Sequence, residues 1–105
     1  MKDLKQRTRE FALRVVRLYS ALPKTTEAQV MGKQILRSGT SVGAHYREAS
    51  RARSTAEFVS KLGGGQQELE ETCCWLELLR EAGIVEAARL ADMEKEANEL
   101  GKIFT

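Results

Sequence analysis

Four cations, Lys33, Arg37, Arg47 and Arg51, recur at spacings that bring them to one side of a helix turning about 100° per residue. Guanidinium and ammonium groups in such a row neutralise anions rather than make or break bonds. On a helix the row spans about 27 Å at roughly 1.5 Å per residue. A nucleic-acid duplex presents one charge per about 1.7 Å, so several phosphates lie within its reach. Arg7, Arg14 and Arg17, nearer the N-terminus, extend the basic set. Two plainer readings compete: a solvated helix face, or pairing with the acidic half of a neighbouring subunit. No aromatic residue interleaves the cations, so any nucleic-acid contact would fall on phosphates and be independent of base sequence.

The residues that usually carry catalysis are sparse. His45 is the single histidine, and it falls on the inward half of the same helix with Met31, Ile35, Ser38, Val42 and Ala49. A core or interface role fits it. Without a second histidine or a ligand-type carboxylate spacing, no metal site is expected. Cys73 and Cys74 are adjacent, so a disulfide between them would be strained, and the surrounding acids disfavour a thiolate. Reduced thiols in a cytoplasmic protein are the expectation. Gly63-Gly64-Gly65 lacks the Lys-Ser/Thr of a phosphate loop. No nucleophile–base pair or cofactor motif occurs, so neither an enzyme nor a cofactor is expected.

Association has a clearer signal. Cys74, Trp75 and Leu78 lie roughly 100–160° from the core seam of their helix. They form an apolar patch for another surface to cover, unless a wide core absorbs the tryptophan. Glu70, Glu77 and Glu81 make an acidic stripe beside it. The charge is lopsided: residues 1–61 hold thirteen Lys or Arg against five Asp or Glu, and residues 62–105 hold four against ten. Such asymmetry suits an acidic or nucleic-acid partner, self-association through opposite faces, or mutual neutralisation within one bundle. A basic surface meeting an acidic one on the next copy is a heterologous contact, which closes into a ring when the rotation allows.

The elements that must position these residues are helices. The chain is 105 residues with one Pro, few aromatics and many Ala, Leu, Glu, Lys and Arg, which predicts one all-α domain over 1–105. Leu4, Phe11, Val15, Leu18 and Leu22 set the first seam, with Arg7, Arg14 and Arg17 off it in solvent, and Pro23 ends the helix. Thr26 with Gln29 reads as a capping box, as does Ser54 with Glu57. In the third helix Phe58, Leu62, Leu69, Thr72, Leu76 and Leu79 hold the core register, and Gly83 stops it. The seven-residue spacing of Leu62, Leu69 and Leu76 runs through the glycine triplet without a phase slip. That predicts a continuous helix, with Gly65 facing Gly39 and Gly43 of the second helix and alanine at Gly64 stabilising. A fourth seam runs through Leu90, Met93, Ala97, Leu100 and Phe104. The predicted helices cover about 2–22, 27–52, 55–82 and 85–103, joined by short loops as an antiparallel up-down-up-down four-helix bundle. The charged N-terminus, MKDLKQRTREF, offers neither a signal peptide nor a membrane span.

The strings RSGTSVGAHYREASRARS, AEFVSKL and ELEETCCWLELL, in that order, resemble the small bacterial proteins encoded by intervening sequences of large-subunit ribosomal RNA genes, the S23-type family. The resemblance covers about Phe11 to Val85. Its matching residues include Arg37, Ser38, Ser41, Tyr46, Glu48, Ala49, Arg51, Ser54, Phe58, Glu68, Glu71, Thr72 and Trp75. It implies a four-helix bundle assembled as a homopentameric ring. It also implies kinship with the accessory variability protein of diversity-generating retroelements, which binds nucleic acid and a reverse transcriptase through a basic surface. Two departures, Gly63-Gly64-Gly65 and Cys73-Cys74, fall where relatives carry helix formers and an aromatic before the tryptophan. The resulting expectation is a non-catalytic oligomeric scaffold that associates with structured RNA or an RNA–protein complex. DNA and a nucleic-acid-processing protein are further partners to consider. The rival is a protein–protein adaptor ring that binds no nucleic acid.

Overall fold

The structure, a computed structural model, describes residues 2–105, and among them every regular element is a helix: α1 (Leu4–Ala21), α2 (Thr26–Ser50), α3 (Thr55–Glu81) and α4 (Ala87–Phe104). Side chains close the first three N-termini. Asp3 accepts from the Gln6 N–H at 2.8 Å, and Ser54 accepts from the Glu57 N–H at 3.1 Å. The Ser54–Glu57 box therefore starts α3 where its pattern predicts, at Thr55. At α2 the cap is Thr25, one residue before the expected position. The Gln29 amide is engaged elsewhere: it donates to the Pro23 carbonyl at 2.8 Å and accepts from the Tyr19 hydroxyl at 3.1 Å. It thus ties the end of α1 to the start of α2 instead of completing a box with Thr26.

Gly83 ends α3 at φ +71°. Its N–H donates to the Arg80 carbonyl and the Ile84 N–H donates to the Leu79 carbonyl, which is the paired bonding of a Schellman stop. The chain then inserts Val85 into the core before α4 begins at Ala87, two residues later than expected.

Each helix packs on its sequence neighbours, α1 also meets α4, and neither diagonal pair makes a close backbone approach. With short connections this is the antiparallel up-down-up-down bundle. Its core comprises Phe11, Val15, Ile35, Val42, Leu69, Leu76, Leu79, Leu90 and Leu100, as the four seams predict. A polar pair is sealed within it. Thr72 donates to the Glu68 carbonyl at 2.8 Å, leaving the Ser38 hydroxyl to donate to Thr72 at 2.8 Å.

The glycines allow two separate close approaches. Those of α2 face α1: a Cβ on Gly39 would lie 2.7 Å from Val15 Cγ2, and one on Gly43 would lie 3.3 Å from Thr8 Oγ1. α3 runs unbroken through its triplet. Gly65 is buried, but it faces Phe104 and His45 rather than glycines of α2, and a Cβ there would lie 2.6 Å from Phe104 Cε2. A Cβ on Gly64 would lie 2.6 Å from His45 Cε1, so displacing that ring opposes the gain in helix propensity expected there. The unobstructed position is Gly63, where an added Cβ has nothing within 4 Å.

Phe58 departs from its expected core register. α2 and α3 have 25 and 27 residues against 18 in each of α1 and α4, so their shared hairpin outruns the other pair. Phe58 lies in the overhang and is exposed.

Two glycines of one triplet, Gly63 and Gly65, should therefore respond oppositely. Gly63→Ala raises stability by about 0.5–1 kcal/mol through reduced unfolded-state entropy. Gly65→Ala lowers it by about 1–3 kcal/mol through overpacking against Phe104. Thermal or denaturant unfolding of the two variants checks both signs.

Candidate nucleic-acid interface

α2 holds its inner positions against α1 and α3, so Lys33, Arg37, Arg47 and Arg51 all project from its exposed side. They are not electrostatically equivalent. Arg37 bridges to α3: its Nη1 lies 3.2 Å from Glu68 Oε2, and its Nη2 is bonded to Glu71. Glu68 also accepts from the Ser41 hydroxyl, and Glu71 from the Trp75 indole N–H at 3.1 Å. Arg37, and after it Trp75, hold the Glu71 carboxyl below its ordinary range. Arg37 is thus committed to an α2–α3 network, whereas Lys33, Arg47 and Arg51 have no carboxylate partner among the described residues.

The α1 arginines divide differently from expectation. Arg7 is not in free solvent. It forks onto Glu96 of α4 at 2.7 and 3.1 Å and reaches Glu99 at 3.3 Å. These contacts hold its guanidinium more firmly protonated than usual. Arg14 and Arg17 border the α1–α4 side beside Arg89 and Met93, so they do not extend the row on α2. Lys5 and Arg9 do. With Arg47 they border a groove between α1 and α2, floored by Thr8, Ala12, Thr40, Gly43 and Ala44 and free of any acidic residue. Sequence reasoning missed both. The available signal was their position on α1 across from Arg7 and Arg14, once the glycines of α2 mark the side that α1 occupies. The usable face therefore comprises Lys5, Arg9, Lys33, Arg47 and Arg51.

On α3, Trp75 is half-buried and packs against the core, as the wide-core alternative anticipated, so it does not stand outward with Cys74 and Leu78. Its indole reaches Glu71 across the α2–α3 seam. Cys74 and Leu78 are exposed, as are Glu70, Glu77 and Glu81. Cys73 is half-buried, and burial together with Glu94, Glu70 and Glu77 pushes its thiol up, away from thiolate chemistry. Both cysteines are free thiols. His45 lies against Gly64 and Gly65, with its Nδ1 buried and without a hydrogen-bond partner. Among the described residues, no group of three His, Cys, Asp or Glu is placed to hold a metal ion, and no helix is long and apolar enough to cross a membrane.

The Glu71 contact has a pH signature. Because its folded pKa is lowered, its stabilisation is present above the ordinary glutamate value and is lost as pH falls through the lowered one. Wild type should melt above Glu71→Gln at neutral pH, with the difference closing on acidification. A pH series of melting curves for the two proteins checks this.

A search of curated proteins finds no match. Among solved structures, a protein of unknown function from the S23 ribosomal protein family of Bacteroides thetaiotaomicron VPI-5482 superposes with a TM-score of 0.91 at 40% identity, over 97% of this chain and 94% of that one. The profile of the 23S rRNA-intervening sequence proteins matches residues 2–105. With the bundle, the ordered motifs and this match over nearly the whole sequence in agreement, the chain belongs to the 23S rRNA-intervening sequence protein family.

Proposed function

We propose that this protein is a non-catalytic oligomeric scaffold that associates with structured RNA, or an RNA–protein complex, through the α1–α2 face. The observation that carries this reading is the partition of its cations. Arg7 and Arg37 are neutralised by the protein's own glutamates, whereas Lys5, Arg9, Lys33, Arg47 and Arg51 are left on one face without carboxylate partners. Contacts of that kind go to phosphates, so affinity falls steeply with salt and base sequence matters little.

Self-association has surfaces of its own, although the one on α1 adjoins that face, since Leu13 and Val16 follow Arg9 by four and seven residues on the same helix stripe. α1 and α3 are diagonal in the bundle, and their outer surfaces point in opposite directions. Each carries exposed aliphatics, Leu13 and Val16 on α1 and Leu78 on α3, and the latter lies among Glu70, Glu77 and Glu81. Two opposed, chemically complementary patches suit a head-to-tail ring, which the family resemblance puts at five copies.

Native mass spectrometry of protein isolated without nuclease tests both parts. The expected result is a multimer carrying RNA that is lost at high salt. Arg47→Glu with Arg51→Glu should lose the RNA while keeping assembly mass and melting temperature. A wild-type multimer free of nucleic acid would contradict the RNA reading and favour the adaptor. A wild-type monomer would contradict the scaffold.

A further inference from the structure

The α2–α3 hairpin extends past the bundle. Thr8, near the start of α1, packs against Gly43, and Phe104, at the end of α4, packs against Gly65 and Tyr46. Beyond these contacts, residues 53–60 are all exposed. A tip surrounded by water has no packing reason to be apolar, yet Phe58 is 41% and Val59 61% exposed. Phe58 also borders a shallow depression of about 360 Å³ with Arg53, Ala49, Ala52 and Ser54.

Charge identifies what fits there. Lys61 neutralises Glu48 at 3.1 Å, and the Glu57 carboxylate accepts from the Arg53 backbone N–H at 3.3 Å. Arg47, Arg51 and Arg53 keep their charges unpaired among the described residues. An exposed aromatic ring beside unpaired guanidinium groups suits a ligand with a flat apolar part attached to an anionic one. An unpaired nucleotide has that composition. A duplex keeps its base faces stacked inside and offers Phe58 nothing to stack on.

We infer that the α2–α3 tip binds a single-stranded segment of RNA, one base stacking on Phe58 with the flanking phosphates against Arg51 and Arg53. This rests on the proposed RNA association and adds a preference for unpaired strand, as in the loop of a folded RNA. The notable residue is Phe58, because the cations alone do not distinguish strand from duplex.

The test is fluorescence anisotropy at low salt with a labelled oligouridine and an RNA duplex of equal length, using wild type, Phe58→Leu and Phe58→Trp. Wild type should bind the single strand more tightly than the duplex. Phe58→Leu should weaken the single strand by about 5- to 100-fold and leave the duplex unchanged, whereas Phe58→Trp should keep the single-strand affinity. If Phe58→Leu leaves single-strand binding unchanged, or weakens both probes equally, the tip assignment is overturned while phosphate binding by the α1–α2 face stands. Failure of wild type to bind either probe would remove both. A smaller assembly mass for Phe58→Leu than for wild type would make the tip a subunit contact and overturn the assignment.

Discussion

The bundle depends on how closely α2 approaches α1. At Gly39 the Val15 side chain occupies space that a Cβ would fill, and Gly43 brings Thr8 almost as near. Val15 is fully buried and has no room to retreat. This contact fixes the rotation of α2 about its axis, and the remaining faces of that helix follow. Ser38 is turned to Thr72 inside the core, and Arg37 and Ser41 to the glutamates of α3. Lys33, Arg47 and Arg51 are left facing water.

That rotation explains why seemingly equivalent cations differ. Arg37 is only one turn from Lys33, yet it sits where α3 offers two carboxylates, while Lys33 has none within reach. On α1 the same geometry sends Arg7 to Glu96 and leaves Lys5 and Arg9 beside Arg47. The Arg7–Glu96 pair is partly buried and the Arg37 pair is open to solvent, where screening leaves such contacts weak. Their larger consequence is subtraction: two arginines are removed from the set available to an anion. The first half of the chain is strongly basic, and of its unpaired cations Lys5, Arg9, Lys33, Arg47 and Arg51 share the α1–α2 face, while Arg14 and Arg17 stand on the α1–α4 side.

Much of the architecture was legible because it is periodic and local. Seam spacing located four helices, Ser54 with Glu57 fixed a start, and Gly83 fixed a stop. The unbroken phase of Leu62, Leu69 and Leu76 carried α3 through three glycines. What escaped depends on distant partners. Nothing near Arg7 or Arg37 in sequence identifies acceptors 89 and 34 residues away. The placement of Gly65 against Phe104 requires knowing that α4 ends beside it. The exposure of Phe58 comes from unequal helix lengths, since a residue in perfect register stays uncovered when the opposing helices stop short. The α2 start shifted by one residue because Gln29 found partners in Pro23 and Tyr19. Of the candidate face, Lys33, Arg47 and Arg51 could be read from the helical period alone, while Lys5 and Arg9 needed the side on which α1 packs.

The direct test of the α1–α2 constraint is a double-mutant cycle on unfolding free energy with Val15→Ala, Gly39→Ala and the pair. If close packing at this point sets the rotation of α2, truncating Val15 makes room for the new methyl group. Gly39→Ala should then be less destabilising in the Val15→Ala background, with a coupling of about 0.5–3 kcal/mol. Effects that add to within about 0.3–0.5 kcal/mol would contradict it, because two residues in steric conflict cannot act independently.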